Sequence, residues 1–311
     1  MSPPRAIAVV GPTAAGKSAM GLQIAERFGL AVLCCDSVQV YRGLDIGSAK
    51  PGPAERARAR HALLDLVDPD QEFSAGDYAR AAASEVGGGP ALFVGGTGFY
   101  LRAAGWTQSG TGDPDGPDRP VSGAFEEEWG AREEGDPGAA HRELTRRDPE
   151  TAAAIHPRNF VRTLRALWLC ETHGEPVSAV RRRDPPRARL HLAMIVIDPG
   201  VDVVDRAIDA RCDAMIRAGW LAEVEGLRAA GYHARHKAMR SLGYHQLLEH
   251  VEGRTSLDAA IAAIKLETRH YARRQRTYFR TQLPAALRFD LQDPAQCPWP
   301  ALATFLAGGT P

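Results

Sequence analysis

The sequence predicts an α/β fold, in which helices flank a parallel β-sheet and a helical insertion interrupts the sheet. Three observations lead to this class. Short apolar runs alternate with helix-like stretches over the first hundred residues, the pattern of repeated strand–helix units. A glycine-rich loop joins the first apolar run to the first helix-like stretch. After a long segment interrupted by prolines, another apolar run leads into further helices, so the sheet is expected to resume there.

The elements of the first hundred residues follow from hydrophobic pattern and length. Residues 6–10, 30–34 and 91–94 are short apolar runs and are predicted to be buried strands. Residues 17–28 and 74–86 have the length and periodicity of helices. Because strands and helices alternate, the strands are expected to lie parallel in one sheet.

The rest of the chain separates into an insertion and a second part of the core. Residues 106–123 are rich in Gly, Pro, Asp and Ser and are predicted to be a loop or linker, and residues 124–180 are predicted to form several helices. Residues 190–197 are a predicted strand, and residues 286–291 a predicted last strand. Four more helices are predicted, at residues 202–218, 221–230, 242–252 and 256–283. The expected domains are a catalytic core of residues 1–105 and 190–311 and a mostly helical insertion of residues 106–189.

Composition excludes several broad classes. The chain of 311 residues has 38 Lys plus Arg, 38 Asp plus Glu and 44% hydrophobic residues, which is unlike a disordered chain. The uncharged run at residues 86–101 is short for a bilayer span and contains several glycines. The N-terminus does not resemble a signal peptide, and five cysteines without C-x-x-C spacing favour a reduced protein. A cytoplasmic protein with no membrane partner is expected.

One motif predicts a phosphate site with little ambiguity. It satisfies G-x-x-x-x-G-K-[ST] between a predicted strand and a predicted helix, and its residues are Gly11, Pro12, Thr13, Ala14, Ala15, Gly16, Lys17 and Ser18. In such a P-loop, backbone N–H groups converge on phosphate oxygens, the lysine adds positive charge and the hydroxyl binds Mg²⁺. The core is therefore predicted to be P-loop NTPase-like, and the motif indicates a diphosphate or triphosphate without indicating ATP.

A carboxylate is expected near this loop. Asp36 follows the second predicted strand, and ligands bind at the carboxyl ends of parallel strands. The strand at residues 91–94 ends in Gly95-Gly96-Thr97-Gly98 without an acid, whereas a nucleotide kinase usually has one after a core strand. From position alone, a functional carboxylate and a helix cap or turn are equally good interpretations of Asp36.

Five blocks together resemble one enzyme family. They are GPTAAGKS at residues 11–18, DSVQVYRGLDIGSAKP at 36–51, VGGTGFY at 94–100, LGYHQ at 242–246 and TRHYARRQ at 268–275. Their content and order are similar to the signature blocks of the tRNA dimethylallyltransferases, and the second block is long and highly specific.

The resemblance implies an activity and roles for individual residues. The family transfers a dimethylallyl group from dimethylallyl diphosphate to N6 of the adenine immediately 3′ of the anticodon, position 37 of tRNA. It implies that Asp36 is the base, that Thr97 lies near the scissile bond, and that Lys17, Arg211 and Ser18 with Mg²⁺ stabilise the diphosphate. It also implies that the insertion binds the anticodon stem-loop of tRNA, and that the adenine leaves its stack to react. The remaining implied tRNA-binding residues in these blocks are Ser37, Gln39, Lys50 and Gln275.

Arginine spacing favours RNA binding independently of the resemblance. Arg269, Arg273, Arg276 and Arg280 are spaced 4, 3 and 4 apart, so they share one helix face. Residues 269–280 contain no acid, which favours phosphate contact over a merely solvated face. A second stripe is predicted in the insertion, at Arg158, Arg162 and Arg165.

Two departures from the family pattern and several alternatives accompany this interpretation. Ala207 stands where the family has an arginine, with Arg206 about 100° away around a helix. The acids Glu126, Glu127 and Glu128 in the insertion would repel phosphates unless they face away.

The alternatives are a prenyltransferase acting on free adenine nucleotides, a P-loop small-molecule kinase and a catalytically silent RNA-binding relative. A monomer is expected.

Overall fold

A computed structural model describes residues 2–107 and 121–309. The described chain divides into two compact units, one containing Met1–Gly105 and Arg189–Pro311 and the other containing Trp106–Ala188. Most of the linker predicted at residues 106–123 lies outside the described residues.

The first unit contains a six-stranded sheet in which every neighbouring pair is parallel. The strand order is β3-β2-β4-β1-β5-β6, and the strands are β1 (Arg5–Val10), β2 (Val32–Cys35), β3 (His61–Ala62), β4 (Ala91–Gly95), β5 (His191–Ile197) and β6 (Leu287–Leu291). The predicted α/β class with a parallel sheet is confirmed. The structure adds the short β3, which the sequence analysis did not predict.

Helices cover the sheet and form the second unit. In chain order they are α1 (Lys17–Phe28), α2 (Pro53–Arg58), α3 (Ala75–Val86), α4 (Gly98–Gly105), α5 (Gly123–Gly135), α6 (Ala139–Arg147), α7 (Pro149–Ala153), α8 (Phe160–His173), α9 (Val177–Arg183), α10 (Val201–Arg217), α11 (Trp220–Ala229), α12 (Tyr244–Val251), α13 (Leu257–Thr281) and α14 (Trp299–Leu306). Within residues 2–107 and 121–309, none of these helices has the length and apolar character needed to cross a membrane.

The core of the first unit lies between the central strands and the helices on their faces. Strand β1 is buried because it pairs with β4 on one side and β5 on the other. Ile7 and Val9 of β1 pack in one cluster with Ile24 of α1 and Ile208 of α10. This packing fixes the carboxyl ends of β1, β2 and β4, from which the loops of the candidate site emerge.

The second unit has a small core of its own. Trp129, Leu144 and Leu167 are buried in one cluster contributed by α5, α6 and α8. The carboxylate of Asp148 is fully buried and accepts hydrogen bonds from the Thr151 backbone N–H and hydroxyl, at 3.0 and 2.7 Å. Buried carboxylates satisfied in this way hold short helices together.

Candidate active site

Three loops meet where adjacent parallel strands end. The loop after β1 is the 11–18 motif, the residue after β2 is Asp36, and the residues after β4 lead to Thr97. These loops open onto a cavity of about 340 Å³, whose walls also include α10 and α13. We call it the carboxyl-end cavity. All of its lining residues belong to the first unit, and its position agrees with the place where open α/β sheets bind ligands.

The 11–18 loop has the backbone of an anion site. Gly11 has φ +144°, and a Cβ there would lie 2.2 Å from the Ile197 carbonyl oxygen, so only glycine fits. Gly16 is left-handed (φ 90°) at the start of α1, and no side chain caps that helix. Uncapped N–H groups at a helix N-terminus attract phosphate oxygens. The local geometry is therefore the one that the motif predicts.

Lys17 and Arg211 supply positive charge at this end of the cavity. Lys17 Nζ donates a 2.7 Å hydrogen bond to the Pro12 carbonyl oxygen. Burial of its ammonium group, and then the Arg211 charge, lower the pKa of Lys17 to about 7, against the opposing effect of Asp36. Burial also lowers the pKa of Arg211. The site therefore contains two basic side chains, Lys17 and Arg211, and one nearby carboxylate, Asp36. An anionic ligand would balance the excess positive charge.

Thr13 is held by side chains from both flanking helices. Arg211 of α10 donates a 2.6 Å hydrogen bond to its hydroxyl, and its backbone N–H donates to Gln275 Oε1 of α13 at 2.8 Å. Gln275 Nε2 in turn donates to the Gly96 carbonyl oxygen, also at 2.8 Å. Side chains from α10 and α13, which lie 179 to 262 positions from their partners, thus join the loops after β1 and β4.

Asp36 lines the cavity, and Thr97 lies behind it, next to the lining residues Gly96 and Ser37. Asp36 Oδ1 accepts backbone N–H bonds from Val38 (2.8 Å) and Gln39 (3.4 Å), and no described residue donates to Oδ2. Thr97 Oγ1 accepts the Ser37 N–H at 3.0 Å. Asp36 therefore serves as a turn residue through Oδ1 and lines the cavity. Its function as a base stays a prediction.

The far end of the cavity is largely apolar. Ion pairs join Asp205, Asp209 and Asp213 of α10 to Arg273, Arg269 and Lys265 of α13, so the two helices run antiparallel. The cavity follows α13 from Gln275 to Ile264, which is about 16 Å along a helix axis. Beyond Arg211, the lining residues include the apolar Met215, Trp220, Leu242 and Ile264 beside the polar Ser241 and Thr268. An anion and an apolar group can therefore occupy one ligand site.

The loop at residues 44–51 is rigidly attached to the core. Glu223 of α11 accepts backbone N–H bonds from Asp45, Ile46 and Gly47, at 2.7 to 3.2 Å. A Cβ at Gly47 would lie 1.9 Å from the Trp220 indole nitrogen, so glycine is required for this approach. Glu223 was not predicted, and no local pattern identifies it, because its partners lie about 177 residues earlier.

Three predicted tRNA-binding residues use their polar groups within the protein. Lys50 Nζ contacts the Tyr41 carbonyl oxygen and the Asp45 and Asp65 carboxylates at 2.6 to 2.7 Å, and its side chain is 3% exposed. Gln39 Nε2 donates to the Ser48 and Ala49 carbonyl oxygens. Gln275 is buried and bonded as described. RNA contact through these residues and Ser37, which lines the cavity, stays a prediction.

The arginine face of α13 differs from the expectation. The premise that acids do not pair these arginines is wrong, because the acids lie outside α13. The pairs are Arg269–Asp209 (2.5 Å), Arg273–Asp205 (3.0 Å) and Arg276–Asp198 (2.5 Å). Arg280 is exposed and pairs with no acid within residues 2–107 and 121–309. Phosphate contact by the four arginines stays a prediction, and Arg280 is its best candidate.

The other predictions about arginines and acids have mixed positions. Arg158 and Arg162 are exposed in the second unit, and Arg165 is half-buried. Arg206 is exposed and does not line the cavity, whereas Arg211 does, so Arg206 does not replace the arginine missing at Ala207. Glu126, Glu127 and Glu128 are exposed, and Glu128 pairs with Arg132 at 2.6 Å.

These features define a class of protein: a P-loop-like α/β protein whose cavity joins a glycine-rich loop, two basic side chains, a carboxylate and apolar side chains. A protein-family model described as IPP transferase matches residues 39–282. The tRNA dimethylallyltransferase of Roseiflexus sp. (strain RS-1) is 42% identical over 291 residues, covering 90% of this chain and 91% of the relative. That of Geobacter metallireducens is 42% identical over 285 residues, covering 89% of each. The chain belongs to the IPP transferase family.

Solved structures agree with this assignment. The full-length tRNA isopentenylpyrophosphate transferase of Bacillus halodurans has a TM-score of 0.62 and 32% identity, covering 92% of this chain and 89% of that one. A eukaryotic dimethylallyltransferase acting on tRNA has a TM-score of 0.77, covering 98% of this chain and 80% of that one. At 21% identity, the second likeness shows the fold alone.

Proposed function

We propose that this protein transfers a dimethylallyl group from dimethylallyl diphosphate to N6 of adenine 37 in tRNA, releasing diphosphate. The observation that carries the proposal is the carboxyl-end cavity, which places Lys17 and Arg211, Asp36 and an apolar wall around one space. The names of its relatives, tRNA dimethylallyltransferases at about 40% identity over most of the chain, support the same reaction.

The 11–18 loop would hold the diphosphate of the donor. Its uncapped N–H groups, Lys17 and Arg211 face the position where negative charge grows as the carbon–oxygen bond breaks. Ser18 lines the cavity, and its hydroxyl oxygen suits Mg²⁺. A bound Mg²⁺ would neutralise charge on the leaving diphosphate. The described residues contain no cluster of three or more His, Cys, Asp or Glu that could hold a metal, so diphosphate oxygens would supply further ligands.

Asp36 would accept the proton that the adenine amine loses. The N6 lone pair forms the new carbon–nitrogen bond, and the electron pair of the allylic carbon–oxygen bond leaves with diphosphate. Attack makes the N–H acidic, and Asp36 Oδ2 has no hydrogen-bond donor among the described residues, so it can take this proton. The Val38 and Gln39 N–H groups hold Oδ1 and fix the carboxylate in place.

Thr97 would assist the departure of diphosphate. Its Oγ1 accepts the Ser37 N–H at 3.0 Å and donates to Ser37 Oγ at 3.4 Å. The bridging oxygen of a bound donor would replace Ser37 Oγ as the acceptor of this proton. Tyr271 of α13 lines the cavity. Burial of its hydroxyl, and to a smaller extent the negative charge of Asp36, raise the pKa of Tyr271. Tyr271 therefore stays neutral and does not compete with Asp36 as the base.

The nucleic acid would reach the cavity as an extruded base. An adenine in a duplex or stacked loop cannot present N6 to a cavity, so the loop must release it. We propose the anticodon stem-loop as the partner, with Arg280 of the core and Arg158 and Arg162 of the second unit contacting phosphates. We also propose that the enzyme acts as a cytoplasmic monomer.

A transfer assay tests the proposal directly. Radiolabelled dimethylallyl diphosphate and Mg²⁺ are incubated with unmodified tRNA, with AMP or without an acceptor. Label in tRNA alone is the expected result, and replacing adenine 37 by guanine should abolish it. Label in AMP would assign the protein to the enzymes acting on free nucleotides. Hydrolysis of ATP without any prenyl transfer would refute the proposal in favour of a kinase.

A further inference from the structure

We infer that Gln275 is a positioning residue that couples the diphosphate loop to the Thr97 loop. The inference rests on the proposed function and adds a role within it. Gln275 is 5% exposed, and its amide oxygen accepts the Thr13 N–H while its amide nitrogen donates to the Gly96 carbonyl oxygen, both at 2.8 Å. With both ends of the amide bonded to protein, the side chain joins two loops of the site.

The two loops hold opposite sides of the reacting bond. Thr13 belongs to the loop that receives the leaving diphosphate, and Gly96 immediately precedes Thr97. Thr97 in turn holds the Ser37 N–H next to Asp36. A displacement of Gln275 would therefore shift the leaving-group site relative to the base. Such shifts of about 1 Å can lower rates on the order of 100-fold.

The surroundings of Gln275 are shaped for this contact. A Cβ at Gly96 would lie 2.2 Å from Gln275 Nε2, so a side chain there would displace the amide. On the other side, Arg211 donates to the Thr13 hydroxyl at 2.6 Å, and the Thr13 N–H donates to Gln275 Oε1 at 2.8 Å. The amide of a glutamine can accept from one loop through its oxygen and donate to the other through its nitrogen.

A matched pair of variants separates positioning from simple stability. Gln275→Met removes both hydrogen bonds with little change of length. Gln246→Met is the control, because Gln246 is 7% exposed, accepts the Gly243 N–H at 2.7 Å and donates to Glu267 at 2.8 Å, and does not line the cavity. Gln275→Glu keeps an acceptor for the Thr13 N–H but loses the donor to Gly96.

We expect Gln275→Met to lower kcat for transfer to tRNA on the order of 100-fold, with little change in the KM for tRNA. Gln246→Met should lower Tm about as much as Gln275→Met does, but leave kcat close to that of the wild type. Gln275→Glu should behave like Gln275→Met. Full kcat with a raised KM for tRNA would overturn the inference and make Gln275 an RNA ligand. Equal loss of kcat in both methionine variants would also overturn it.

A second measurement does not depend on prenyl transfer. Binding of Mg²⁺-pyrophosphate should slow amide hydrogen exchange in a peptide spanning residues 94–101 of the wild type and of Gln246→Met. In Gln275→Met this protection should be lost while residues 11–18 remain protected. Equal protection of residues 94–101 in Gln275→Met, or none in the wild type, would refute the coupling. Failure of transfer by the wild type would instead refute the proposed function.

Discussion

Lys17 gives a quantitative prediction about pH, because its pKa of about 7 makes the free protein and the diphosphate complex differ by a proton. At pH 8, about nine-tenths of the free protein should carry a neutral Lys17. A bound diphosphate places negative charge beside the amino group and raises its pKa. Binding at pH 8 should therefore take up about 0.9 proton, and binding at pH 6 only about 0.1.

The same shift sets how affinity changes with pH. Between pH 7 and pH 9, the fraction of free protein with protonated Lys17 falls from about one-half to about one-hundredth. The affinity for pyrophosphate should fall about 50-fold over this range, which is about 2 kcal/mol. Lys17→Met is the control, since methionine has similar length and does not titrate, and the ligand's own protonation is common to both proteins.

Isothermal titration calorimetry measures both quantities. Titrations with Mg²⁺-pyrophosphate in two buffers of different ionisation enthalpy give the number of protons taken up at each pH. The wild type should exceed Lys17→Met by about 0.9 proton at pH 8 and by about 0.1 proton at pH 6. Equal uptake by the two proteins at pH 8 would show that Lys17 keeps its proton in the free protein, and the argument from burial would be wrong.

Three further predictions concern the base, the RNA-binding face and the 44–51 loop. Asp36→Asn should abolish transfer but leave pyrophosphate affinity mostly intact in calorimetry, and equal loss of both would refute its assignment as the base. Arg280→Ala should reduce the salt dependence of tRNA binding by about one unit of slope without changing Tm, whereas Arg276→Ala should lose about 1 kcal/mol of stability with its partner Asp198. A result in which both arginine variants change only Tm would argue against RNA contact at Arg280. Gly47→Ala should lower Tm, because its Cβ would overlap the Trp220 ring, and an unchanged Tm would contradict the close packing.

Local sequence patterns predict several longer elements of this fold well, because hydrophobic periodicity and the residues that flank each element mark where it begins and ends. The prediction for residues 17–28 has the bounds of α1, and residues 91–94 differ from β4 by one residue. Strand β3 escaped prediction because two residues have no periodicity, and α2 because none of its residues is buried. Helix α4 begins directly after a glycine-rich turn, and the sequence analysis predicted no helix there.

The site was predictable where one segment carries the chemistry and not where distant segments meet. The 11–18 motif was enough to predict the backbone geometry of its loop. That geometry depends on the two glycines and on the helix that starts at Lys17, which all lie in the same segment. Pairing of the arginines on α13 was not predictable, since acids on α10 are 60 and more residues earlier. The amide of Gln275 is a similar case, because its partner at Thr13 lies 262 residues away.

The order of strands has a consequence for synthesis of the protein. Strand β1 is the first element made, yet it gains its second neighbour only with β5, after the whole second unit. At the usual speed of translation this interval is roughly 10 to 40 s. Gln275 and Arg211, which complete the cavity, emerge later still. A chain released early would lack the α10 and α13 walls of the cavity, and proteases or chaperones would meet an exposed sheet edge.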